Sequence, residues 1–320
     1  MELSKKSRYP TIDLSGLKTQ SVFDRVSKVD VRDFAVPFCK GSSFLNFLES
    51  LPNILAGKAL RAVVDRIVSA RSQSRAVVVT MGAHVIKCGL SPILVDLMHR
   101  GVITALAMNG AGAIHDSEIA RFGCTSEDVV DGIRTGMFGM AEETAEFLNT
   151  TAISAARDGL GYGEALGRTL HEMKAANAAV SLLATAYECK IPITVHVSIG
   201  CDIVHMHPSA DGAAIGEASL RDFRILTEAM KGLENGGVLI NLGSAVVLPE
   251  VILKAVTTLV NLGCDLRGML GVNVDFVQHY RSNQQVVSRI KEIGGEGISL
   301  TGHHEIMIPL IAAGVIERLR

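Results

Sequence analysis

The sequence has 320 residues, 48% hydrophobic, 20% charged and only 4% aromatic, with no Trp. That length can bury one large core or two modest ones, and so few rings argue against a base-stacking platform for single-stranded nucleic acid. Lys and Arg number 31 against 33 Asp and Glu, a net charge of −2, so no global field recruits DNA, RNA or an acidic membrane; a small molecule or a protein is the expected partner.

Residues 1–40 are polar and mixed, broken by Pro10, Gly16 and Pro37, and are expected to form an extended arm of the kind that wraps a neighbouring subunit. "MELSKKSRYP" lacks the apolar core of a signal peptide. No window approaches the eighteen or so uncharged apolar residues of a membrane span. The six cysteines (Cys39, Cys88, Cys124, Cys189, Cys201, Cys264) form no CxxC pair. They read as small core residues of a cytoplasmic protein.

Residues 41–320 are expected to form a single α/β domain. Phe44 to Ala70 is helical in pattern. Six short apolar runs follow: "RAVVVTMG" (75–82), "VITALAMNG" (102–110), "PITVHVSIG" (192–200), "GGVLINLG" (236–243), "LRGMLGVNVDF" (266–276) and "EGISLTGHH" (296–304). Each is apolar throughout rather than alternating, and most are separated by helical periodicity. This predicts a doubly wound, mainly parallel sheet of about six or more strands with helices on both faces. A helical insertion is expected at about 113–190, ending in one long helix over 164–190 whose Leu166, Leu170, Met173, Leu182, Leu183 and Ala186 share a face. "GLGYGEALG" (159–167) follows no strand and reads as a helix-linking loop.

Ligands of open parallel sheets bind beyond the carboxyl ends of the strands, and polar residues collect there. Gly82, Ala83 and His84 follow the first run, and Asn109, Gly110, Gly112, His115 and Asp116 the second. Asp202, His205 and His207 follow the third, Gly243 and Ser244 the fourth, and His303, His304 and Glu305 the sixth. "NGAGAIHD" (109–116) and "NLGSAVV" (241–247) set small residues at strand-to-helix turns, where backbone N–H groups can meet a phosphate. Neither is GxGxxG, and both suit a tight turn equally well.

"HMHP" (205–208), with Asp202, His115, Asp116, His303 and His304, supplies enough nitrogen and oxygen donors for a divalent metal, although its Pro and Gly surroundings read as a loop. No GxSxG elbow supports a serine hydrolase. Cys88 could be a thiolate at a helix start or a buried structural thiol. Asp116 and Glu305 both read as openers of helices, where a carboxylate serves equally as a cap or dipole partner.

Residues 77–117, with "IPITVHVSIGCD" (191–202) and "GGVLINLGSAVVLPEVILKA" (236–255), resemble the deoxyhypusine synthase family. The resemblance covers most of 45–305 in layout. It implies an NAD-binding Rossmann-type core, usually a homotetramer with sites between subunits, that oxidises spermidine and passes its aminobutyl group through an enzyme lysine. That lysine follows a glycine near the C-terminus; the matching pair here is Gly302-His303, and no lysine follows Lys291. The family's histidine after the glycine-rich strand falls near Pro249, its Trp has no counterpart, and its acidic loop is replaced by "VQHYRSNQQ" (277–285).

The expectation is therefore a homo-oligomeric NAD-dependent transferase or oxidoreductase acting on a small amine-bearing or polar substrate, without the lysine imine. His303 would act as acid/base, with His304, Asp202 and Glu305 orienting substrate and His205 and His207 lining its site. Gly82, Ala83, His84, Asn109, Gly110, Gly112, Asp116, Gly243 and Ser244 would hold the dinucleotide. The alternatives are a metal-dependent hydrolase or lyase using His205, His207, His303 and Asp202, or a nucleotide-binding protein without catalysis.

Overall fold

A computed structural model describes residues 7–319. Its strands are β1 (Val77–Met81), β2 (Ala105–Asn109), β3 (Ile193–His196), β4 (Val238–Leu242), β5 (Leu270–Asp275) and β6 (Glu296–Thr301). All neighbours pair in parallel, in the order β3-β2-β1-β4-β5-β6. Strand order reverses between β1 and β4, which is the doubly wound arrangement of Rossmann-type sheets.

Val, Ile, Leu and Met fill both faces of the inner strands because helices cover both sides. Val77, Val79 and Met81 of β1 point into one core with Leu94, Leu166 and Ile308. Val78 points the other way, to Leu226, Ile252 and Ile290. β6 is an edge strand, and much of it is exposed.

Phe44 to Ala70 is two helices, Phe44–Ser50 and Leu55–Ser72, separated at Leu51–Ile54, where Pro52 disfavours continuation through Leu51. The arm stands clear of the body, with Phe23 93% and Val26 94% exposed. Its far end is tied down by Val36 N–H donating to Ser50 O (2.9 Å) and Asn53 N–H donating to Asp33 O (2.8 Å).

The single helix expected over 164–190 is instead Tyr162–Glu172 and Leu182–Glu188, broken where Lys174 turns to φ +53°. Gly163 and Gly167 belong to the first of these, not to a loop. A Cβ at Gly163 would stand 2.2 Å from Ile193 O, so the glycine lets this helix lie directly on β3. The cysteines are a correction as well: none is fully buried, and Cys39, Cys124 and Cys201 are exposed.

Candidate functional site at the carboxyl edge of the sheet

A row of buried polar side chains ties the central strand ends together. Thr80, Asn241 and Asn273 are in register on β1, β4 and β5. The Thr80 hydroxyl donates to Asn241 Oδ1 (3.1 Å), Asn241 Nδ2 to Asn273 Oδ1 (2.8 Å), and Asn273 Nδ2 to Gln278 Oε1 (2.8 Å). A fully satisfied buried chain of this kind fixes the geometry of whatever lies just beyond it.

Beyond it lies the reversal point. Gly82 N–H donates to Leu242 O (3.0 Å) and Gly243 N–H to Val274 O (3.1 Å). A Cβ on Gly82 would stand 2.6 Å from Gly243 O, and Gly243 holds φ +66°. Only glycine permits the first approach, and the second conformation strains any other residue. The two turns therefore present bare backbone to each other.

Four rings gather on these turns from β1, β5 and β6. His304 packs against His84 (5.5 Å between centroids) and edge-on against Phe276 (5.7 Å). His84 also meets Phe276 (5.7 Å), and His303 stacks on it (5.9 Å, 13° between planes). His304 is 1% exposed, whereas the His303 side chain is 68% exposed and Phe276 46%. His304 Nε2 lies 3.4 Å from Val274 O and 3.7 Å from Asp275 Oδ1. Both neighbours are acceptors, so Nε2 carries the proton and Nδ1 is an acceptor; it is buried and unpartnered among the described residues. Burial holds His304 below the usual histidine range, against the pull of Asp275.

At the lip, Cys88 Sγ is 3.3 Å from His84 Nε2 and 3.9 Å from Glu305 Oε2. Burial, reinforced by Glu305, pushes this thiol up, which favours the protonated form over a resting thiolate. Cys88 ends the one-turn helix His84–Lys87 rather than starting one. Glu305 sits in the first turn of the helix His304–Arg318 and is held low mainly by a backbone hydrogen bond there, as a helix dipole partner is.

The turn after β2 is different. Asn109 caps its own helix, Gly110–Phe122, by accepting from Gly112 N–H (3.1 Å). Asp202 reaches over from the loop after β3: a Cβ on Gly110 would stand 1.9 Å from its Oδ2. A carboxylate already occupies the place where a phosphate would sit, so Asn109, Gly110 and Gly112 serve as cap, clearance and packing rather than as a phosphate cradle. Burial raises Asp202, opposed by His205 and by Ala111 N–H.

Asp116 leaves the site altogether. It is fully buried and accepts from Ser181 Oγ (2.6 Å), Leu182 N–H (2.8 Å) and Leu183 N–H (3.0 Å), capping the helix Leu182–Glu188 from mid-helix rather than opening one. Ser244 Oγ accepts from Leu248 N–H (3.2 Å) at the start of the helix after β4. Pro249 is buried in that helix's first turn, where a missing N–H costs nothing.

The two histidines of "HMHP" diverge. His205 Nδ1 accepts from Gly200 N–H (3.1 Å) and Asp202 N–H (3.3 Å), holding its own 3-10 turn, while His207 Nε2 meets Gly139 O (2.8 Å). His205 is thus fixed to its own loop and His207 to the separate loop at Gly139. Among the described residues no three His, Cys, Asp or Glu side chains are arranged to hold a metal ion.

A cleft of about 600 Å³ opens beside Asp202, lined by Lys87, His115, Glu118, Thr125 and Phe138 among others. Lys87, Thr125, Glu118 and, at the ring cluster, Phe276 were not among the residues the sequence pointed to. Phe276 was the most legible, since it directly follows β5.

Fold and site together define a Rossmann-type α/β chain whose candidate ligand groups stand at the carboxyl edge of the sheet. No family model and no curated protein matches the sequence. Similar solved structures include AgrE in a ternary complex with ornithine and NAD⁺, at 16% identity and TM-score 0.54 over 81% of this chain and 33% of that one. An LOR/SDH protein from Methanococcus maripaludis S2 shares 16% identity (TM-score 0.48; 82% of this chain, 70% of that one). A protein of Entamoeba histolytica assigned as a deoxyhypusine synthase shares 12% (TM-score 0.49; 89% and 97%). The chain thus spans about a third of AgrE, and what these similarities carry is the fold.

Proposed function

We propose that this chain is an NAD-dependent enzyme acting on a small polar, amine-bearing substrate at the carboxyl edge of its sheet. The observation that carries the reading is the ring cluster of His84, Phe276, His303 and His304, seated on two bare-backbone turns at the strand-order reversal. The fold-level likeness to AgrE, which was solved with ornithine and NAD⁺, supports it as an analogy.

The residues present suit a dinucleotide at one end of the edge and not at the other. Gly82, Ala83, His84, Gly243 and Ser244 form the two turns at the strand-order reversal, packed on each other and on His304, and the half-exposed Phe276 beside them offers a planar group a stacking face. The buried, unpartnered His304 Nδ1 can accept one N–H or O–H. The turn at Gly110 is closed to phosphate by Asp202.

When bound, NAD⁺ supplies a hydride acceptor for a C–H bond next to an amine or hydroxyl. His304 stays neutral near pH 7 because burial lowers it, and it orients through Nδ1. His303 is exposed at the lip and stacks on Phe276. Where the resembled family carries its lysine this chain carries His303, so the product leaves without an imine to the protein at that position. In a membrane context, no helix of the described residues is long and apolar enough to cross a bilayer. Assembly as a homo-oligomer in the cytoplasm belongs to the same proposal.

The experiment is a titration of NADH with protein followed by NADH fluorescence. The reading predicts saturable binding that Gly82→Val abolishes; no binding at about 1 mM, an affinity near 4 kcal/mol, rejects it.

A further inference from the structure

The cleft beside Asp202 holds a hydrogen-bonded chain that the ring cluster does not use. Glu118 accepts from the hydroxyls of Thr144 (Oε1, 2.9 Å) and Thr125 (Oε2). A carboxylate can only accept, and Thr125 has one hydroxyl proton, so its oxygen is left to accept from His115 Nδ1 at 2.6 Å. That fixes the Nδ1–H tautomer and leaves the lone pair on Nε2. Nε2 has no hydrogen-bond partner among the described residues and is not among the buried, unpartnered atoms. The His115 and Glu118 side chains are 17% and 15% exposed, and both line the cleft with Lys87.

This differs from an ordinary structural histidine. His205 spends its Nδ1 on two backbone N–H groups of its own loop. His115 keeps its basic nitrogen free, in the wall of this cleft, and is backed by a hydroxyl-to-carboxylate relay.

We propose that His115 is a general base acting on a small carboxylate-bearing molecule bound in this cleft. His115 Nε2 takes a proton from an O–H or C–H of the substrate. The substrate atom keeps the bonding pair, and the ammonium of Lys87 faces the resulting negative charge. The imidazolium that forms is stabilised through Thr125 by Glu118, as a carboxylate stabilises a histidine base elsewhere. Thr125 and Glu118 are positioning residues. Ile114, Phe122 and Phe138 supply apolar wall, and Glu127, Glu143 and Asp202 add acidic groups. Burial holds His115 below the usual histidine range, Glu118 opposing this and Lys87 reinforcing it, so the base is neutral and competent near pH 7.

The test is ¹⁵N NMR of the histidine side chains in the full chain without nucleotide. The expected spectrum shows His115 as a single Nδ1–H tautomer titrating below 6.5. Glu118→Gln shifts that midpoint down and Lys87→Met shifts it up. Thr125→Val loses the single tautomer, and Thr125→Ser, which keeps the hydroxyl, retains it. Acetate, used as the carboxylate probe, shifts the His115 resonances in wild type and not in Lys87→Met. An Nε2–H tautomer, a midpoint at or above 6.5, or acetate shifts that survive Lys87→Met would each overturn the assignment. No step needs NAD, so failure here leaves the cofactor reading standing, and a failed NADH titration leaves this one standing.

Discussion

His304 lies where a side chain on Gly243 would go: a Cβ there would stand 2.4 Å from His304 Cε1. The glycine after β4 and the histidine after β6 are thus one device, and Gly243→Ala must both strain its φ of +66° and displace the ring. The expected loss is about 2 kcal/mol of stability, read as a fall in Tm. In Gly243→Ala/His304→Ala the ring is absent, so the double variant loses less than the sum of the singles. Additive losses would separate the two residues.

The contact of Asp202 with Gly110 makes a second prediction. Asp202→Ala removes a carboxylate from the start of the helix Gly110–Phe122 and costs about 1 kcal/mol. It also uncovers backbone N–H groups, so inorganic phosphate raises the Tm of this variant and not that of wild type. An equal phosphate response in both would mean that Asp202 does not close the turn.

Two buried groups beside β3 set opposite pH limits. Asp222 Oδ2 accepts from Val195 N–H (2.7 Å) and Gly163 N–H (2.9 Å), and burial pushes its carboxyl up to about 8 from 3.8. The folded protein holds that proton more tightly than the unfolded chain, so the stabilisation is complete below about pH 4 and is lost as pH rises toward 8. His196, buried beside Thr194 Oγ1 (3.0 Å), is lowered to about 4 from 6.5. Its contribution is complete above 6.5 and is lost as pH falls toward 4. Tm measured against pH should therefore flatten on the alkaline side in Asp222→Asn and on the acid side in His196→Gln.

The sequence offers Asp116 as a cofactor ligand, and the structure makes it a cap. Asp116→Ala strands Leu182 N–H and Leu183 N–H, and should cost about 2–3 kcal/mol without changing NADH affinity in the protein that remains folded. A selective loss of affinity would return Asp116 to the ligand surface.

These cases show where sequence reasoning reached and where it stopped. The apolar runs at 75–82 and 236–243 announced buried parallel strands because period and composition are local. Gly82 and Gly243 were readable as strand-end glycines. Asp116 meets Ser181 across 65 residues, and Asp202 covers Gly110 across the sheet. No local pattern tells a carboxylate that caps a distant helix from one that awaits a ligand. The break near Lys174 was hidden because both helices keep their apolar faces on one core. Thr125 sits in a polar loop, and its role depends on a single proton committed to Glu118.

A dinucleotide seated at the strand-order reversal is what the proposed function requires. The direct measurement is a crystal structure of the protein soaked with NAD⁺. It should show the cofactor against Gly82, Gly243 and Phe276, with His304 Nδ1 accepting a hydrogen bond. Cofactor density at the turn of Gly110 instead, or none in crystals soaked to saturation, would contradict it.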